Sequence, residues 1–258
     1  MINIKSHSQI EKMKRSAAIL IKVFEAVRQA VEPGVTTEYL DRIAAEVIKA
    51  NNAEPSFKGQ PGMSRDAKPF PACICASRNS EVIHGIPSKH TILQEGDIIS
   101  IDAGGVFEGF HSDAARTFPV GIISDDAARL IEVTKQSFFA GAAQAVEGNR
   151  IGDIAREVQT VAENAGYGVV RDFVGHGIGE ELHEDPSVPN YVCVRRGARL
   201  QNGMAIAIEP MINVGTYEIK IDPDNKWTVY TADGKLSAHY ENTVIVTSGE
   251  PMIITLEQ

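Results

Sequence analysis

The sequence predicts a mixed α and β protein in which two similar halves enclose one cleft. Two pairs of amphipathic helices, one at the N-terminus and one in the middle of the chain, are each followed by strand-like segments. The helix junctions are also alike, because residues 29–32 (QAVE) recur at 144–147. Such a short identity can arise by chance in amphipathic helices. The shared order of elements nevertheless favours an internal duplication, with a period too long for a solenoid repeat.

Length and composition place the chain among ordinary globular proteins. It has 258 residues, of which 43% are hydrophobic and 23% charged, and it is long enough to bury a substantial core. We expect a single domain over residues 1–258, with halves at about 8–120 and 121–258.

Net charge and cysteine content limit the binding partners and the cellular compartment that we expect for the protein. A net charge of −9 argues against nonspecific nucleic-acid binding, which needs a basic surface. Three cysteines are too few for a disulfide framework, so we expect a reducing cytoplasm. Residues 1–15 lack the apolar core of a signal peptide, and no apolar run approaches the length of a membrane span.

The first helix pair follows from capping signals and apolar spacing. Residues 8–11 (SQIE) have the pattern of a capping box, and apolar side chains then recur every three or four residues as far as Val31. Pro33-Gly34 ends this helix, and a second begins near Thr36 or Thr37 with one apolar face.

The second helix pair repeats the arrangement. Ser124 caps a helix that runs to about Val146, after which Gly148 breaks it. Apolar residues at 154, 158, 161 and 162 mark the next helix. Each pair therefore leads into strands that carry candidate functional residues.

Two strands between the helix pairs, joined by a tight turn near residues 107–109, form a predicted hairpin. If Val106 pairs with Gly109, Asp102 lies directly opposite Asp113. Opposed like charges on paired strands are destabilising, so this pair would require a cation. A bulge would shift the register by one residue.

Five residues have the chemistry of a two-metal site. Four are carboxylates and one is an imidazole. Each lies in a segment that resembles a strand or a tight turn, often with glycine, histidine or proline beside it. Oxygen-rich sets of this kind suit hard or borderline divalent cations. Taken singly, each residue has an ordinary alternative at a turn, a strand end or a loop. The five are Asp102, Asp113, His176, Glu209 and Glu241.

Other polar residues are more ambiguous. His84 and His183 could donate a proton or a hydrogen bond near a metal-bound carbonyl. A histidine with a purely structural role, hydrogen-bonded within the protein, is nevertheless the commoner case. Cys73 and Cys75 are too close and too few for a zinc cluster and are expected to be small wall residues. The glycine-rich residues 175–179 lack the strand and helix context of a dinucleotide site.

The motifs resemble those of type I methionine aminopeptidases over nearly the whole chain. Their order and spacing together are highly specific. The 25 residues between His183 and Glu209 leave no room for the helical insertion of type II enzymes, so the resemblance is to a short bacterial-style chain. The matching segments are Cys75-x-Ser77-x-Asn79, His84-Gly85-Ile86-Pro87, Asp102, Asp113, Gly175-His176-Gly177-Ile178-Gly179, His183-Glu184-Asp185-Pro186, Ile208-Glu209-Pro210-Met211 and Glu241-Asn242-Thr243.

The resemblance implies the pita-bread (creatinase/aminopeptidase) fold. This is an α+β fold with two pseudo-symmetric halves of antiparallel sheet, backed by helices, around a central dimetal cleft. The implied activity is removal of the N-terminal (initiator) methionine from nascent proteins and peptides, with a preference for a small second residue. The implied cofactors are two divalent ions per chain, from among Co, Mn, Fe(II), Zn and Ni. The implied partners are the N-termini of nascent polypeptides, including at the ribosome, for a cytoplasmic monomer without nucleic-acid or membrane contacts.

The resemblance also assigns metal ligands by position. Asp102 would hold one metal, Asp113 and Glu241 would bridge both, and His176 and Glu209 would complete the other site. A water between the ions would become nucleophilic at neutral pH, and Glu209 would handle its proton.

The remaining roles concern the substrate. The resemblance places His84 near the scissile amide and the leaving amine, and His183 on the carbonyl oxygen. The methionine pocket would be built around Cys75, with Leu182 and Trp227 near it. The free amine of the substrate would bind a metal, which restricts cleavage to the first residue.

The chain departs from the family pattern at four places. Residues 58–68 look like an insertion before the methionine pocket and are expected to form a flap over it. Leu182 stands where many relatives have an aromatic residue. Gly104 and Ala207 stand where others often have threonines that hydrogen-bond the metal carboxylates. Loss of those hydrogen bonds would lower metal affinity or alter metal preference.

Two other functions stay open on sequence alone. A proline-specific peptidase of the prolidase or aminopeptidase P type shares the fold and the five ligands, but usually carries an additional N-terminal domain. A non-catalytic relative would use the fold as a binding module. Such relatives typically lose metal ligands, and all five are present in this chain.

Overall fold

The computed structural model describes residues 2–62 and 66–256. No helix in this part of the chain combines the length and the apolar character needed to cross a membrane. The helices are α1 (His7–Ala30), α2 (Thr37–Ala50), α3 (Asp125–Ala142) and α4 (Ile151–Asn164). The strands are β1 (Glu54–Pro55), β2 (Ile74–Arg78), β3 (Glu81–Ile83), β4 (Ile98–Phe107), β5 (Phe110–Pro119), β6 (Gly168–Val169), β7 (Gly175–Gly177), β8 (Glu184–Val188), β9 (Ala205–Ile208), β10 (Met211–Asn213), β11 (Ile219–Ile221), β12 (Val229–Thr231), β13 (Ser237–His239), β14 (Glu241–Ile245) and β15 (Met252–Ile253).

Capping side chains set the starts of three helices. The predicted cap of α1 at Ser8 is wrong by two residues. The N-cap is Ser6, whose Oγ accepts the Gln9 N–H at 3.4 Å while the Gln9 side chain accepts the Ser6 N–H at 2.9 Å. This reciprocal pair forms because glutamine lies three residues after the cap, the spacing of a capping box. Ser124 caps α3 as predicted, and Thr36 caps α2, whose predicted start near Thr36 or Thr37 is confirmed.

The helix α3 ends at Ala142, before the predicted end near Val146. The N–H groups of Gln144 and Ala145 bond three residues back, which is the spacing of a tight turn rather than of an α-helix. Val146 then forms a bridge to Thr247. The α3 helix therefore ends before Gly148, the residue that was predicted to break it.

One large sheet carries most of the site. Its order is β1-β4-β5-β14-β9-β7-β8, with β2 also paired to β4 and β15 to β14. Two three-stranded sheets have the orders β13-β10-β6 and β11-β12-β3. All pairs among these strands, within the described residues, are antiparallel. The predicted antiparallel sheets are confirmed.

Two apolar cores join the helix pairs to the strands. The helices α1 and α2 pack on β4 and β5 through a core that includes Phe24 and Ile101. The helices α3 and α4 pack on β9 and β14 through a second core that includes Phe138 and Ile206. Burying one such side chain contributes about 1.5–3 kcal/mol, so each helix pair firmly supports the strands beneath it. The division into halves near residue 120 stays a prediction, which these two cores support.

The β4–β5 hairpin forms, but the predicted pairing of Asp102 with Asp113 is wrong. Asp102 lies opposite Ala115, and Asp113 lies opposite Gly104. The partner of Asp102 is thus two residues away from the predicted one. Because side chains alternate between faces with a period of two, both carboxylates still project from the same face. They are diagonal neighbours rather than an opposed pair.

The turn explains this shift of register. Phe107 pairs with Phe110, so the turn residues are Glu108 and Gly109, one position later than a pairing that starts at Val106. Both have positive φ, 50° and 78°. This combination is typical of a type I′ turn, whose twist suits antiparallel strands. Glycine adopts positive φ without strain, which favours Gly109 inside the turn rather than beside it.

Candidate active site

The candidate residues line one cavity. Its volume is about 90 Å³, which is enough for several water molecules. All ten predicted residues line it, together with Phe57, Gln60 and Phe70, which were not predicted from the sequence. The ten are Cys75, His84, Asp102, Asp113, His176, Leu182, His183, Glu209, Trp227 and Glu241.

Strand pairing brings the four carboxylates together from distant parts of the chain. Asp102 of β4 and Glu241 of β14 both lie opposite Ala115 of β5, one on each side. Asp113 lies two residues from Ala115 along β5 and projects from the same face. Glu209 directly follows β9, which pairs with β14. The large sheet therefore holds all four around one point.

His176 lies among these carboxylates. Its Nε2 is 3.6 Å from Glu209 Oε1 and 3.9 Å from Asp113 Oδ2. Ligand atoms of His176, Asp113 and Glu241 lie within 4.8 Å of one another, close enough to hold one metal ion. The glycines on both sides of His176 permit this placement, because a Cβ at either would overlap a carbonyl oxygen of β8 or β9.

The imidazole of His176 is held as a neutral group. Its Nδ1 lies 2.9 Å from the carbonyl oxygen of Gly177. Since a carbonyl only accepts, Nδ1 carries the proton and Nε2 presents its lone pair to the carboxylates. Burial, and to a smaller extent His183, lowers the pKa of His176 to about 3. The contacts with Asp113 and Glu209 are therefore not ion pairs at neutral pH, and the group suits a metal ion.

The carboxyl groups are buried and crowded. Burial raises the pKa of Asp102 to about 7, although a hydrogen bond with Asp113 opposes the shift. Burial and the neighbouring carboxylates raise the pKa values of Asp113, Glu209 and Glu241 well above their usual range. One oxygen each of Asp102, Asp113 and Glu241 is buried without a hydrogen-bond partner among the described residues. Divalent cations fit this donor set, because they would bind the free oxygens and relieve the repulsion.

We expect the contribution of Asp102 to the stability of the metal-free protein to fall as the pH rises from 3.8 to about 7. These are the unfolded and folded pKa values of Asp102, so the folded chain holds an extra proton within this window. Its contribution to stability is complete below pH 3.8 and is lost as the pH rises through the folded pKa. One such group changes the free energy of unfolding by at most about 1.4 kcal/mol per pH unit.

Urea unfolding in the presence of a chelator, at several pH values, measures this slope. The control is Asp102→Asn, which keeps the size of the side chain and removes its titration. Across this window the stability of the variant should fall less, or rise more, with increasing pH than that of the wild type. An identical slope in both proteins would show that Asp102 does not titrate in this range.

Two further histidines border the cavity. The ring of His183 lies edge-to-face with that of His176, with 4.4 Å between centroids, and burial lowers the pKa of His183. His84 has a φ of 59°, a strained conformation for a residue other than glycine. Its ring lies edge-to-face with Phe173 and Trp227, and burial lowers its pKa to about 4. Both histidines are neutral at physiological pH, and each can donate one hydrogen bond.

An apolar wall forms the rest of the cavity. Cys75, Leu182 and Trp227 pack in one cluster with Phe57 and Phe70. Burial, followed by the charge of the nearby carboxylates, raises the pKa of the Cys75 thiol well above its usual value. The thiol is therefore an unreactive wall group, as predicted for a small apolar residue.

The segment that resembles an insertion lies beside this wall. Phe70, two residues after the segment, donates its N–H to the carbonyl oxygen of Gln60 within the segment at 2.9 Å. The indole N–H of Trp227 donates to the carbonyl oxygen of Lys68 at 2.8 Å. Residues 63–65, which belong to the predicted flap, lie outside the described residues. Phe70 was not predicted as a site residue, although its place just after this segment could have identified it.

The position of Gly104 leaves no space for a larger residue. A Cβ there would lie 2.8 Å from the Cβ of Ser56 and 2.8 Å from the ring of Phe57. The Ser56 N–H donates to the Gly104 carbonyl at 2.9 Å, which fixes this close approach. We therefore expect Gly104→Ala to lower the free energy of unfolding by about 1–3 kcal/mol. Urea unfolding measures the change, and Gly249→Ala is the control because a Cβ there meets nothing within 4 Å. Equal stability of the two variants would contradict this interpretation.

The second departure, Ala207, is fully buried and pairs with Thr243 of β14. The Thr243 hydroxyl accepts the Asp113 N–H at 3.0 Å and donates to the Asp113 carbonyl at 2.9 Å. This threonine supports the backbone of a candidate ligand from the strand beside Ala207.

Two buried residues near the carboxylates were not predicted from the sequence. His239 Nε2 lies 3.9 Å from Glu241 Oε2 and 4.0 Å from Glu209 Oε2. Arg116 donates to the carbonyl oxygen of Glu241 at 2.6 Å. Alternation along an extended chain was the available signal for His239, because it lies two residues before Glu241 and therefore on the same face.

Known proteins resemble the chain throughout its length. The model of metallopeptidase family M24 matches residues 11–248. The chain is 55% identical to a methionine aminopeptidase of Clostridium acetobutylicum, covering 99% of both chains. It is 44% identical to methionine aminopeptidase 1 of Bacillus subtilis, covering 96% of both.

Solved structures extend the comparison. The structure superposes on a methionine aminopeptidase of Thermotoga maritima with a TM-score of 0.94 and 37% identity, covering 100% of both chains. A prolidase of Pyrococcus furiosus gives a TM-score of 0.78 at 22% identity, and 66% of that chain is covered. At this identity the prolidase shows a shared fold alone.

Proposed function

The chain belongs to metallopeptidase family M24, and from that premise we propose that it removes the N-terminal methionine from proteins and peptides whose second residue is small. The cavity carries this proposal, because four carboxylates and a neutral imidazole share it with an apolar wall that includes Cys75 and Trp227. The polar cluster has the groups needed for amide hydrolysis. The wall suits a flexible apolar side chain such as that of methionine.

The proposed cofactors are two divalent metal ions. Asp102 would hold one ion, Asp113 and Glu241 would bridge both, and His176 and Glu209 would complete the second site. The free buried oxygens and the neutral imidazole support this assignment. When bound, such ions supply Lewis acidity and make water nucleophilic near neutral pH. The donor set accommodates Co, Mn, Fe(II), Zn or Ni, and availability selects among them.

The remaining roles belong to side chains of the protein. Glu209 accepts the proton of the attacking water, a role that a positioned carboxylate in this polar cluster can fill. His183 donates a hydrogen bond to the substrate carbonyl oxygen. His84 lies near the scissile amide and the leaving amine. Cys75 and Leu182 exclude water from around the methionine side chain.

Peptide turnover tests the proposal. The protein, stripped of metal and then loaded separately with each of the five ions, is given Met-Ala-Ser and a set of Xaa-Pro peptides. We expect cleavage of the first bond of Met-Ala-Ser only when metal is present. Faster turnover of Xaa-Pro would indicate a proline-specific peptidase instead. A protein that neither binds metal nor cleaves either substrate would be a binding module.

We also propose that the substrates are the N-termini of nascent polypeptides, including at the ribosome. The protein would act as a cytoplasmic monomer without nucleic-acid or membrane contacts. Three free cysteines suit a reducing compartment, and a net charge of −9 disfavours direct nucleic-acid binding. Sedimentation of the protein, alone and with purified ribosomes, measures its oligomeric state and this association.

A further inference from the structure

The proposed reaction does not use the buried residue His239. It ends β13, where it pairs with Met211 of β10. Its N–H donates to the Thr117 hydroxyl, which in turn donates to the His239 carbonyl, each at 2.9 Å. The residue is 2% exposed. Neighbouring strands therefore fix its backbone, and burial leaves its ring little room to turn.

The ring of His239 faces two of the proposed metal ligands. Its Nε2 lies 4.0 Å from Glu209 Oε2 and 3.9 Å from Glu241 Oε2. Glu209 is thus flanked by two imidazoles, since His176 Nε2 lies 3.6 Å from its other oxygen, Oε1. Neither ring nitrogen of His239 has a hydrogen-bond partner among the described residues. An unsatisfied buried polar group is destabilising, which favours a contact that satisfies it in the working site.

The two imidazoles differ in the nitrogen that carries hydrogen. The Nδ1 of His176 donates to the Gly177 carbonyl, so its Nε2 keeps a lone pair. No described residue fixes the Nδ1 of His239 in this way. Instead its Nε2 faces Glu209 and Glu241, whose carboxylates are ionised when they bind a metal and then attract an N–H and repel a lone pair. In the metal-loaded site His239 would therefore be a hydrogen-bond donor at Nε2, whether its ring is neutral or charged.

We propose that His239 is a positioning residue whose Nε2–H donates a hydrogen bond to Glu209 Oε2, a role that rests on the proposed function. As a bridging ligand Glu241 would use both oxygens, whereas Glu209 would use Oε1 beside His176 and leave Oε2 free to accept. A shift of about 1 Å brings this pair within hydrogen-bond distance. The bond would hold the Glu209 carboxylate in the orientation that binds metal and receives a proton, as hydrogen bonds to metal-binding groups commonly do.

The tautomer of His239 is a test that does not depend on activity. In protein labelled with ¹⁵N-histidine, nuclear magnetic resonance distinguishes Nε2–H from Nδ1–H in each of the seven histidines. His239→Gln identifies the signal of interest. We expect Nε2–H in the Zn(II)-loaded protein. An Nε2 without hydrogen in the Zn(II)-loaded protein would make His239 a metal ligand and overturn the proposal.

Variants separate the hydrogen bond from packing. Glutamine keeps an N–H donor, whereas leucine is apolar. We expect His239→Leu to lower both kcat for Met-Ala-Ser and Zn(II) affinity by about 10–100-fold, with KM nearly unchanged. His239→Gln should restore most of both losses. Equal losses in the two variants, or no loss in His239→Leu, would overturn the proposal.

Three controls distinguish an unfolded variant, a wrong proposed function and a wrong role for His239. His90→Gln changes an exposed histidine and should leave both measurements unchanged. Circular dichroism reports whether His239→Leu folds. If this variant does not fold, the tautomer of His239 in the wild-type protein tests the proposal instead. If the wild type fails to cleave Met-Ala-Ser, the proposed function is wrong, while the tautomer and Zn(II) affinity still decide the role of His239.

Discussion

Glu209→Gln should lower kcat for Met-Ala-Ser by about 10³-fold or more and leave the protein folded, because removal of a positioned proton acceptor alone costs about 10²–10⁴-fold. The glutamine has nearly the size of glutamate, but it is a weaker metal ligand and cannot accept the proton of the attacking water. The fold should survive because burial and Asp102 raise the pKa of Glu209 well above its usual value. The metal-free site therefore disfavours a charged group at this position, and glutamine adds no charge there.

Steady-state kinetics, with metal content and thermal unfolding measured in parallel, decide this prediction. Glu25→Gln is the matched control, because Glu25 is exposed on α1. Turnover near the wild-type level in Glu209→Gln would contradict the role of this carboxylate in catalysis. A large fall in the Tm of the metal-free variant would contradict the electrostatic argument about the fold.

The hairpin that carries two candidate ligands was predictable in its location but not in its register. Alternation and turn residues locate β4 and β5, whereas the pairing depends on which two of residues 107–109 form the turn. The actual register differs by two residues, so Asp102 and Asp113 stay on one face and the site prediction is preserved. An error of one residue would have placed them on opposite faces, because strand side chains alternate.

Residues that reach the site through long-range pairing could not be predicted from local pattern. The five proposed ligands lie in recognisable motifs, and the structure brings them to one cavity, although their role as ligands stays a prediction. His239 faces the carboxylates because β13 pairs with β10, more than 20 residues earlier in the chain. Arg116 contacts β14 through strand pairing of the same kind. A local sequence pattern predicts strands and their faces, but not which strand becomes the neighbour.

Arg116→Met should lower the free energy of unfolding by about 3–5 kcal/mol, because it removes four buried hydrogen bonds and each acceptor left unsatisfied costs about 1–3 kcal/mol. One guanidinium nitrogen, Nη1, donates to the carbonyl oxygens of Ala115 at 2.8 Å and Glu241 at 2.6 Å. The other, Nη2, donates to Asn242 Oδ1 at 2.7 Å and to the Thr255 carbonyl at 3.1 Å. Methionine fills much of the same volume but donates nothing, so these acceptors would be left buried without their present partner.

The position of Arg116 explains why this loss should spread beyond one strand. The guanidinium lies over the rings of Phe24, at 5.3 Å, and Tyr240, at 4.5 Å, so it joins α1 and β5 to β14. For a chain of this size we expect Tm to fall by about 10 °C. Metal affinity should fall as well, since the backbone of Glu241 loses its hydrogen bond. Arg28→Met, at the exposed end of α1, is the control. A similar change of Tm in both variants would show that the buried network does not stabilise the fold in this way.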